Sequence, residues 1–285
     1  VISLDACAKV NLTLEVLGKR TDGFHEIRSV MQGVSLCDRL VFEDAEHLEY
    51  HCAARDWVAP KSLVSRAAQL LMCHTGVRRG AKITLDKRIP LSSGLGGDSS
   101  DAVAVMRGLA RLWGAEVSTS DLISMSAKLG SDLPFFFGGG TVLAQGRGDV
   151  IRQLPDMPRV WLVLLFPNIP SLASKTVAMY SMLRSEHFTH GELTDALTGR
   201  LAHGAAIAAG NLFNVFEKVA FTAFSGLESC RTEFQRMSGV PVHLAGAGPT
   251  LFALFGDEAQ ACRVQQCLQD AGMSSCLAYT CGMAV

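Results

Sequence analysis

The sequence predicts an α+β protein built as two domains, and three observations carry that expectation. A stretch rich in glycine and serine, residues 90–101, joins an alternating, strand-like run to an amphipathic, helix-like run. A change of composition between Pro155 and Pro158 separates that half from the rest, so the domains expected are residues 1–155 and 156–285. Beyond residue 160 strand-like and helix-like runs alternate, as in a ferredoxin-like sandwich.

The first element is a strand. Ala8, Val10, Leu12, Leu14 and Val16 alternate with Lys9, Asn11, Thr13 and Glu15, which puts the two sets on opposite faces. Taken alone, the pattern reads as one buried and one solvated face. Gly18 to His25 is rich in turn residues. Residues 61–72 read as a helix with Leu63, Ala67, Leu70 and Leu71 inward. Residues 81–85 read as a strand, with Ile83 and Leu85 alternating with Lys82 and Thr84.

Pro90-Leu91-Ser92-Ser93-Gly94-Leu95-Gly96-Gly97-Asp98-Ser99-Ser100-Asp101 follows, and then Ala102, Val105, Met106, Leu109, Leu112 and Trp113 at helical spacing. A loop that delivers the chain onto a helix N-terminus offers unpaired N–H groups and the positive dipole end to an anion. Glycine lets those amides approach it closely. The stretch therefore reads as a triphosphate cradle, the alternative being a helix capped by Asp98, Ser99 or Ser100. It is not the common P-loop, because the sequence has no GxxxxGK[ST]. Ser99 stands at the third position of the dinucleotide fingerprint, where glycine is required.

Asp121 to Leu129 reads as a helix ending at Gly130. Asp132, two residues before Pro134, has the setting of an N-cap. Residues 141–149 read as a hairpin. The fully apolar Val160 to Phe166 reads as a central strand. Val240 to Leu244 and Leu251 to Phe255 read as strands flanking the turn Ala245-Gly246-Ala247-Gly248-Pro249-Thr250.

Composition excludes several classes. With 48% hydrophobic and 19% charged residues the 285-residue chain is a folded protein, and a net charge of -1 gives no reason to expect nucleic acid. No apolar run is long enough to cross a bilayer, and no leader pattern opens the sequence, so a cytoplasmic monomer or homodimer is expected. The nine cysteines include no CxxC and are expected to be free thiols. His25-Glu26 begins like a zincin motif, but Ser29 stands where its second histidine would be.

The full string at residues 90–101 resembles the phosphate loop of the GHMP kinases, approximately P-x-x-x-G-L-G-x-S-S-A. The resemblance runs in order from residue 8 to about residue 255. Ala8-Lys9-Val10-Asn11-Leu12 resembles the family's substrate strand. Asp22-Gly23-Phe24-His25 resembles the loop that meets a cytosine in cytidine-linked members. Ser131-Asp132-Leu133-Pro134-Phe135-Phe136 is similar to the string that carries the catalytic aspartate. Thr176 and Tyr180 fall on V-S-T-x-x-x-Y, whose tyrosine stacks on the cytosine. Asn214 and Glu217 fall on a supporting motif, and residues 245–250 on the third glycine motif, with Ala245 and Ala247 in place of hydroxyl residues.

What the resemblance implies is a two-domain GHMP kinase fold, with a ribosomal protein S5 domain 2-like N-terminal domain, a ferredoxin-like C-terminal domain and the active site between them. It implies ATP and Mg²⁺, a cytidine diphospho-sugar alcohol as substrate, and no resident metal. Lys9 and Asp132 are the expected catalytic residues. Pro90, Ser92, Ser93, Gly94, Leu95, Gly96, Gly97, Asp98, Ser99, Ser100 and Ser62 are expected to bind ATP. Asn11, Phe24, His25, Thr176 and Tyr180 are expected to bind substrate. Three departures stand out. Asp98 occupies a position usually held by glycine, Ser62 one usually held by asparagine, and Phe24 one often held by tyrosine. The alternatives are a homoserine- or mevalonate-type kinase of the family, or a nucleotide-binding relative without activity.

Overall fold

The computed structural model describes residues 1–170 and 172–282 and divides into two compact units. The first comprises Val1–Ala8, Leu36–Leu91 and Gly96–Gly138. It holds the start of β1 (Ile2–Lys19), the end of β2 (His25–Ala45), β3 (Leu48–Cys52), α1 (Leu63–Thr75), β4 (Gly80–Asp86), α2 (Gly97–Trp113), α3 (Thr119–Ser126) and the short α4 (Phe135–Gly138). β4 lies between β2 and β3, antiparallel to β2 with Arg39 opposite Asp86, and parallel to β3. One apolar face of α1 and one of α2 close over this sheet, and Phe42, Leu71, Ile83, Met106 and Leu109 are wholly buried among them. α2 lies so close to the sheet that a Cβ at Gly108 would come within 2.4 Å of the Phe42 ring.

The second unit comprises Lys9–Ser35, Ser92–Leu95 and the chain from Gly139 onward. It takes the remainder of β1 and β2, then β5 (Thr141–Gly146) and β6 (Val150–Gln153), the predicted hairpin, with β5 antiparallel to β2. After β7 (Trp161–Leu165) come α5 (Lys175–Met182), α6 (Glu192–Ala202), β8 (Phe213–Asn214), α7 (Glu217–Ala223), α8 (Leu227–Ser238), β9 (His243–Leu244), β10 (Leu251–Phe255), α9 (Glu258–Asp270) and β11 (Ser275–Tyr279). β8 pairs parallel to β1, with Thr13 opposite Phe213. The last sheet has the order β11-β7-β10-β9, with every neighbouring pair antiparallel, which is the ferredoxin-like arrangement expected beyond residue 160. β7 is interior to that sheet, in keeping with its unbroken apolar run.

Several local expectations are corrected. α1 begins at Leu63 because the Ser62 side chain caps it, accepting from the Val64 amide at 3.1 Å. α3 runs earlier than expected: Ser118 caps it, and it stops at Ser126 in a run of turns. β9 is only two residues long. The cysteines are not all free: Cys7 on β1 and Cys37 on β2 form a disulfide, and the other seven are unpaired. Among the described residues no helix is long and apolar enough to cross a membrane.

Candidate active site

The predicted phosphate loop leads into α2, and the first turn of that helix is open. Its N-cap is Gly96, at φ 75, with no side-chain cap hydrogen bond. The alternative that Asp98, Ser99 or Ser100 caps this helix is therefore overturned, and the leading amides are left for an anion. Ser100 instead donates its hydroxyl to the Cys7 carbonyl at 2.8 Å, which ties the first turn to β1. Leu95 is wholly buried, and its carbonyl accepts from the Lys9 amide at 2.9 Å. Leu95 thus anchors the loop by its side chain while its carbonyl seats the catalytic candidate's backbone.

Asp98 resolves a conflict that the sequence posed. A carboxylate in a phosphate loop should repel the ligand, but this one turns to α1. It accepts from the Leu63 amide at 3.0 Å and from the Ser62 hydroxyl. It is an acidic group at the positive end of a helix. Ser62, held between this carboxylate and its own capping bond, is a structural link between α1 and the loop. Asp98→Ala is therefore expected to destabilise the protein by about 1–2 kcal/mol, as a lost cap does, with little change in nucleotide affinity. Thermal melts and a binding titration check this. Tighter nucleotide binding at unchanged stability would show instead that the carboxylate faces the phosphates.

On β1 the second face is not solvated. Lys9, Asn11, Thr13 and Glu15 are all buried, Lys9 to 4% exposure and Asn11 to 3%. Burial forces these polar groups to pair. Lys9 Nζ donates to Asn11 Oδ1 at 2.8 Å, Asn11 Nδ2 donates to Ser29 Oγ at 2.8 Å, and the Ser29 hydroxyl donates to the Thr13 carbonyl. Glu15 accepts from the Thr194 amide at 2.7 Å, at the start of α6. Asn11 thereby holds the Lys9 ammonium in one place.

The third glycine turn lies backbone to backbone against residues 92–95. The Thr250 amide donates to the Ser93 carbonyl at 3.2 Å. A Cβ on Gly94, itself at φ 91, would come within 2.2 Å of the Ala245 carbonyl oxygen, so only glycine fits there. The turn acts through main-chain atoms, which is why alanine at 245 and 247 in place of hydroxyl residues leaves this contact intact. Asn214 donates to the Leu244 and Gly246 carbonyls, both at 2.8 Å, and Glu217 accepts from the Leu244 amide at 2.9 Å. Both are supports of that turn.

The predicted substrate rings gather within the second unit. His25 and Tyr180 stack with centroids 4.8 Å apart and planes 20° apart. Phe216 meets Tyr180 edge-on and Phe188 meets His25 edge-on. Burial, with the Lys19 charge nearby, holds His25 below the usual histidine range, so at neutral pH its imidazole both donates and accepts. Phe24 is 48% exposed, with the Arg147 guanidinium 5.2 Å from its ring centre. Thr176 is exposed in the first turn of α5.

In the first unit Asp132 occupies a turn, residues 131–134, ahead of α4 rather than at its cap. Its neighbours fix that turn: Leu133 and Phe135 are buried to 0% and 1% exposure, and the Leu133 carbonyl accepts from the Phe136 amide at 3.0 Å. Beneath the first turn of α2 lies a cluster that the sequence reading missed. Lys87 is paired with Asp38 and with Asp101, the latter at 2.7 Å, and all three side chains are at most 4% exposed. The available signal was a carboxylate in the first turns of an apolar helix, at Asp101 beside Ala102.

Residues 62–140 match the GHMP kinases N terminal domain and residues 194–273 the GHMP kinases C terminal domain. The chain belongs to the GHMP kinases, a family of small-molecule kinases. Within it, the chain is similar over nearly its whole length to 4-diphosphocytidyl-2-C-methyl-D-erythritol kinases. It is 44% identical to the one from Dehalococcoides mccartyi over 282 residues, 99% of each chain, and 38% identical to the one from Symbiobacterium thermophilum over 262 residues, 90% of this chain and 91% of the relative. A crystal structure of 4-(cytidine 5'-diphospho)-2C-methyl-D-erythritol kinase superposes with a TM-score of 0.83 at 33% identity, covering 99% of this chain and all of that one. The mevalonate kinase of L. major shares the fold, with a TM-score of 0.73 at 18% identity.

Proposed function

We infer that the protein transfers the γ-phosphoryl group of ATP to a hydroxyl of 4-diphosphocytidyl-2-C-methyl-D-erythritol, in isoprenoid-precursor biosynthesis. The observation that carries the choice of substrate is the His25–Tyr180 stack, with a neutral imidazole beside a ring that can cover a pyrimidine. A homoserine or mevalonate kinase has no base to place there. In this reading Asp132 accepts the hydroxyl proton, and Lys9 supplies positive charge to the forming alkoxide. Residues 92–97, with Ser99, hold the triphosphate through main-chain amides and hydroxyls. Asn11 and Thr176 contact the substrate's polar groups.

Mg²⁺ enters with ATP as part of the substrate. Among the described residues no group of three His, Cys, Asp or Glu side chains is arranged to hold a metal. On a nucleotide this ion takes phosphate oxygens and several waters, usually with one or two carboxylates. We assign an ATP-binding domain to residues 1–155, which also contribute Asn11, Phe24 and His25 to the substrate, and a second, substrate-side domain to residues 156–285, which contribute Thr176 and Tyr180. We place the protein in the cytoplasm, as expected of a small-molecule biosynthetic kinase.

The test is product formation. Protein, ATP, Mg²⁺ and the cytidine diphospho-alcohol are expected to yield ADP and a phosphomonoester visible by ³¹P NMR, with no product from mevalonate or homoserine. Tyr180→Ala is expected to raise KM for the cytidine substrate about tenfold, the upper range for a lost ring stack, and to leave KM for ATP unchanged. Turnover of mevalonate or homoserine in place of the cytidine compound would overturn the assignment, and ATP binding without turnover of any substrate would favour the inactive relative.

A further inference from the structure

Lys175 is placed as no ordinary helix residue is. It opens α5, at the positive end of the helix dipole, where a cation is disfavoured. The pattern V-S-T-x-x-x-Y has serine at this position, so the resemblance assigns the lysine no role. Its ammonium donates to the Ser92 carbonyl at 2.9 Å and to the Gly248 carbonyl, and so bridges the phosphate loop and the third glycine turn. Backbone conformation singles out the same bond. Among the described residues, the two non-glycine residues at positive φ are Ser92, at 53°, and Ser174, at 46°. Ser92 supplies the accepting carbonyl, and Ser174 immediately precedes the donor. Both ends of this contact hold a serine in a conformation that side chains disfavour, and strain of this kind persists where the surrounding structure demands it.

The electrostatics give the bridge a purpose. A loop that takes a polyanion must turn amides toward it and carbonyls away. In a trans peptide the N–H and C=O point in opposite directions. Fixing the Ser92 carbonyl on Lys175 therefore fixes the Ser93 amide to the other side. The ammonium also cancels the negative ends of two carbonyls at the loop's edge. We propose that Lys175 is a positioning residue for the nucleotide triphosphate. It clamps residues 92–95 to the third glycine turn and sets the amides that receive the phosphates. The proposal rests on the kinase reading of the loop.

The experiment is a titration of the full-length protein, its Lys175→Met variant and its Lys175→Arg variant with a non-hydrolysable ATP analogue and Mg²⁺, beside steady-state kinetics and melts. Methionine keeps the apolar stem and removes both the charge and the donors. Lys175→Met is expected to weaken analogue binding and raise KM for ATP in parallel by about tenfold or more, with kcat and KM for the alcohol within about threefold. Lys175→Arg is expected to recover most of that affinity, and both variants should melt close to the wild type. Analogue binding by Lys175→Met as tight as wild type overturns the clamp, and so does a loss shared equally by kcat and the melting temperature. Wild-type protein that binds no analogue at all would instead bring down the kinase reading beneath it.

Discussion

Replacing Asp132 by asparagine is expected to lower kcat by about 10²–10⁴-fold, the span usual for a lost general base, with KM for both substrates and the melting temperature little changed. The reasoning starts from the reaction. Phosphoryl transfer needs placement and neutralised charge far more than covalent assistance. The protein's remaining task is to take the proton from an alcohol whose own acidity is far too weak. Asp132 suits that task because its backbone is immobilised while its side chain is not sealed in. The adjacent Leu133 is wholly buried and Phe135 nearly so, and Arg107 donates to the Phe137 carbonyl at 2.6 Å to hold the end of α4. Asparagine keeps the shape and loses the basicity, so the loss falls on the chemical step. Single-turnover kinetics with the cytidine substrate make the measurement, and near-wild-type turnover by Asp132→Asn would remove this residue from the chemistry.

Which parts of this arrangement were legible beforehand follows from the range of the forces involved. Period-two alternation marked β1, and 3.6-residue spacing marked α2, because each pattern is written within one element. The loop was legible because its glycines answer a local backbone demand, as the 2.2 Å approach at Gly94 illustrates. Asp98 was legible as an anomaly and as a cap for its own helix, but not as a partner of α1. Its partner, the Leu63 amide, is 35 residues away in sequence, and no local pattern names it. The same limit hid the Cys7–Cys37 disulfide, which depends on β1 lying beside β2, and the polar face of β1, which reads as solvated until other elements cover it. His25 and Tyr180 were found separately through the resemblance, yet their stacking on each other is visible only in three dimensions. Lys175 and Lys87 carried no local signal at all, since a lysine reads as surface until its partners are known.

Lys87 carries the largest expected effect on stability. Lys87→Met should cost about 3–5 kcal/mol at neutral pH, because removing one partner of a buried ionic cluster strands the rest. Here it strands two carboxyl groups, those of Asp38 and Asp101, each wholly buried. Asp38 keeps two amide donors, the Arg88 N–H and the Ile89 N–H at 2.8 Å, but Asp101 Oδ1 has no protein partner. Burial, reinforced by the Asp38 charge and only partly offset by Lys87, pushes the Asp101 carboxyl up to about 8. At neutral pH Asp101 is then a carboxylic acid beside the Lys87 ammonium.

The sign of the pH dependence follows. Between the ordinary value of 3.8 and about 8 the folded state binds a proton that the unfolded state has released, so this group's contribution to stability is full below that window. It is lost as the pH rises through the window and levels off above it. Asp101→Asn removes the titrating group, so the variant should lack this decline and overtake the wild type at alkaline pH. Denaturant melts at acid, neutral and alkaline pH test both substitutions. Parallel declines for the wild type and Asp101→Asn would show that Asp101 does not carry the proton. The effect reaches function because a Cβ on Gly97 would sit 3.4 Å from Lys87 Nζ, so the cluster lies directly beneath the first turn of α2. Loosening it should loosen the amides proposed to receive the phosphates.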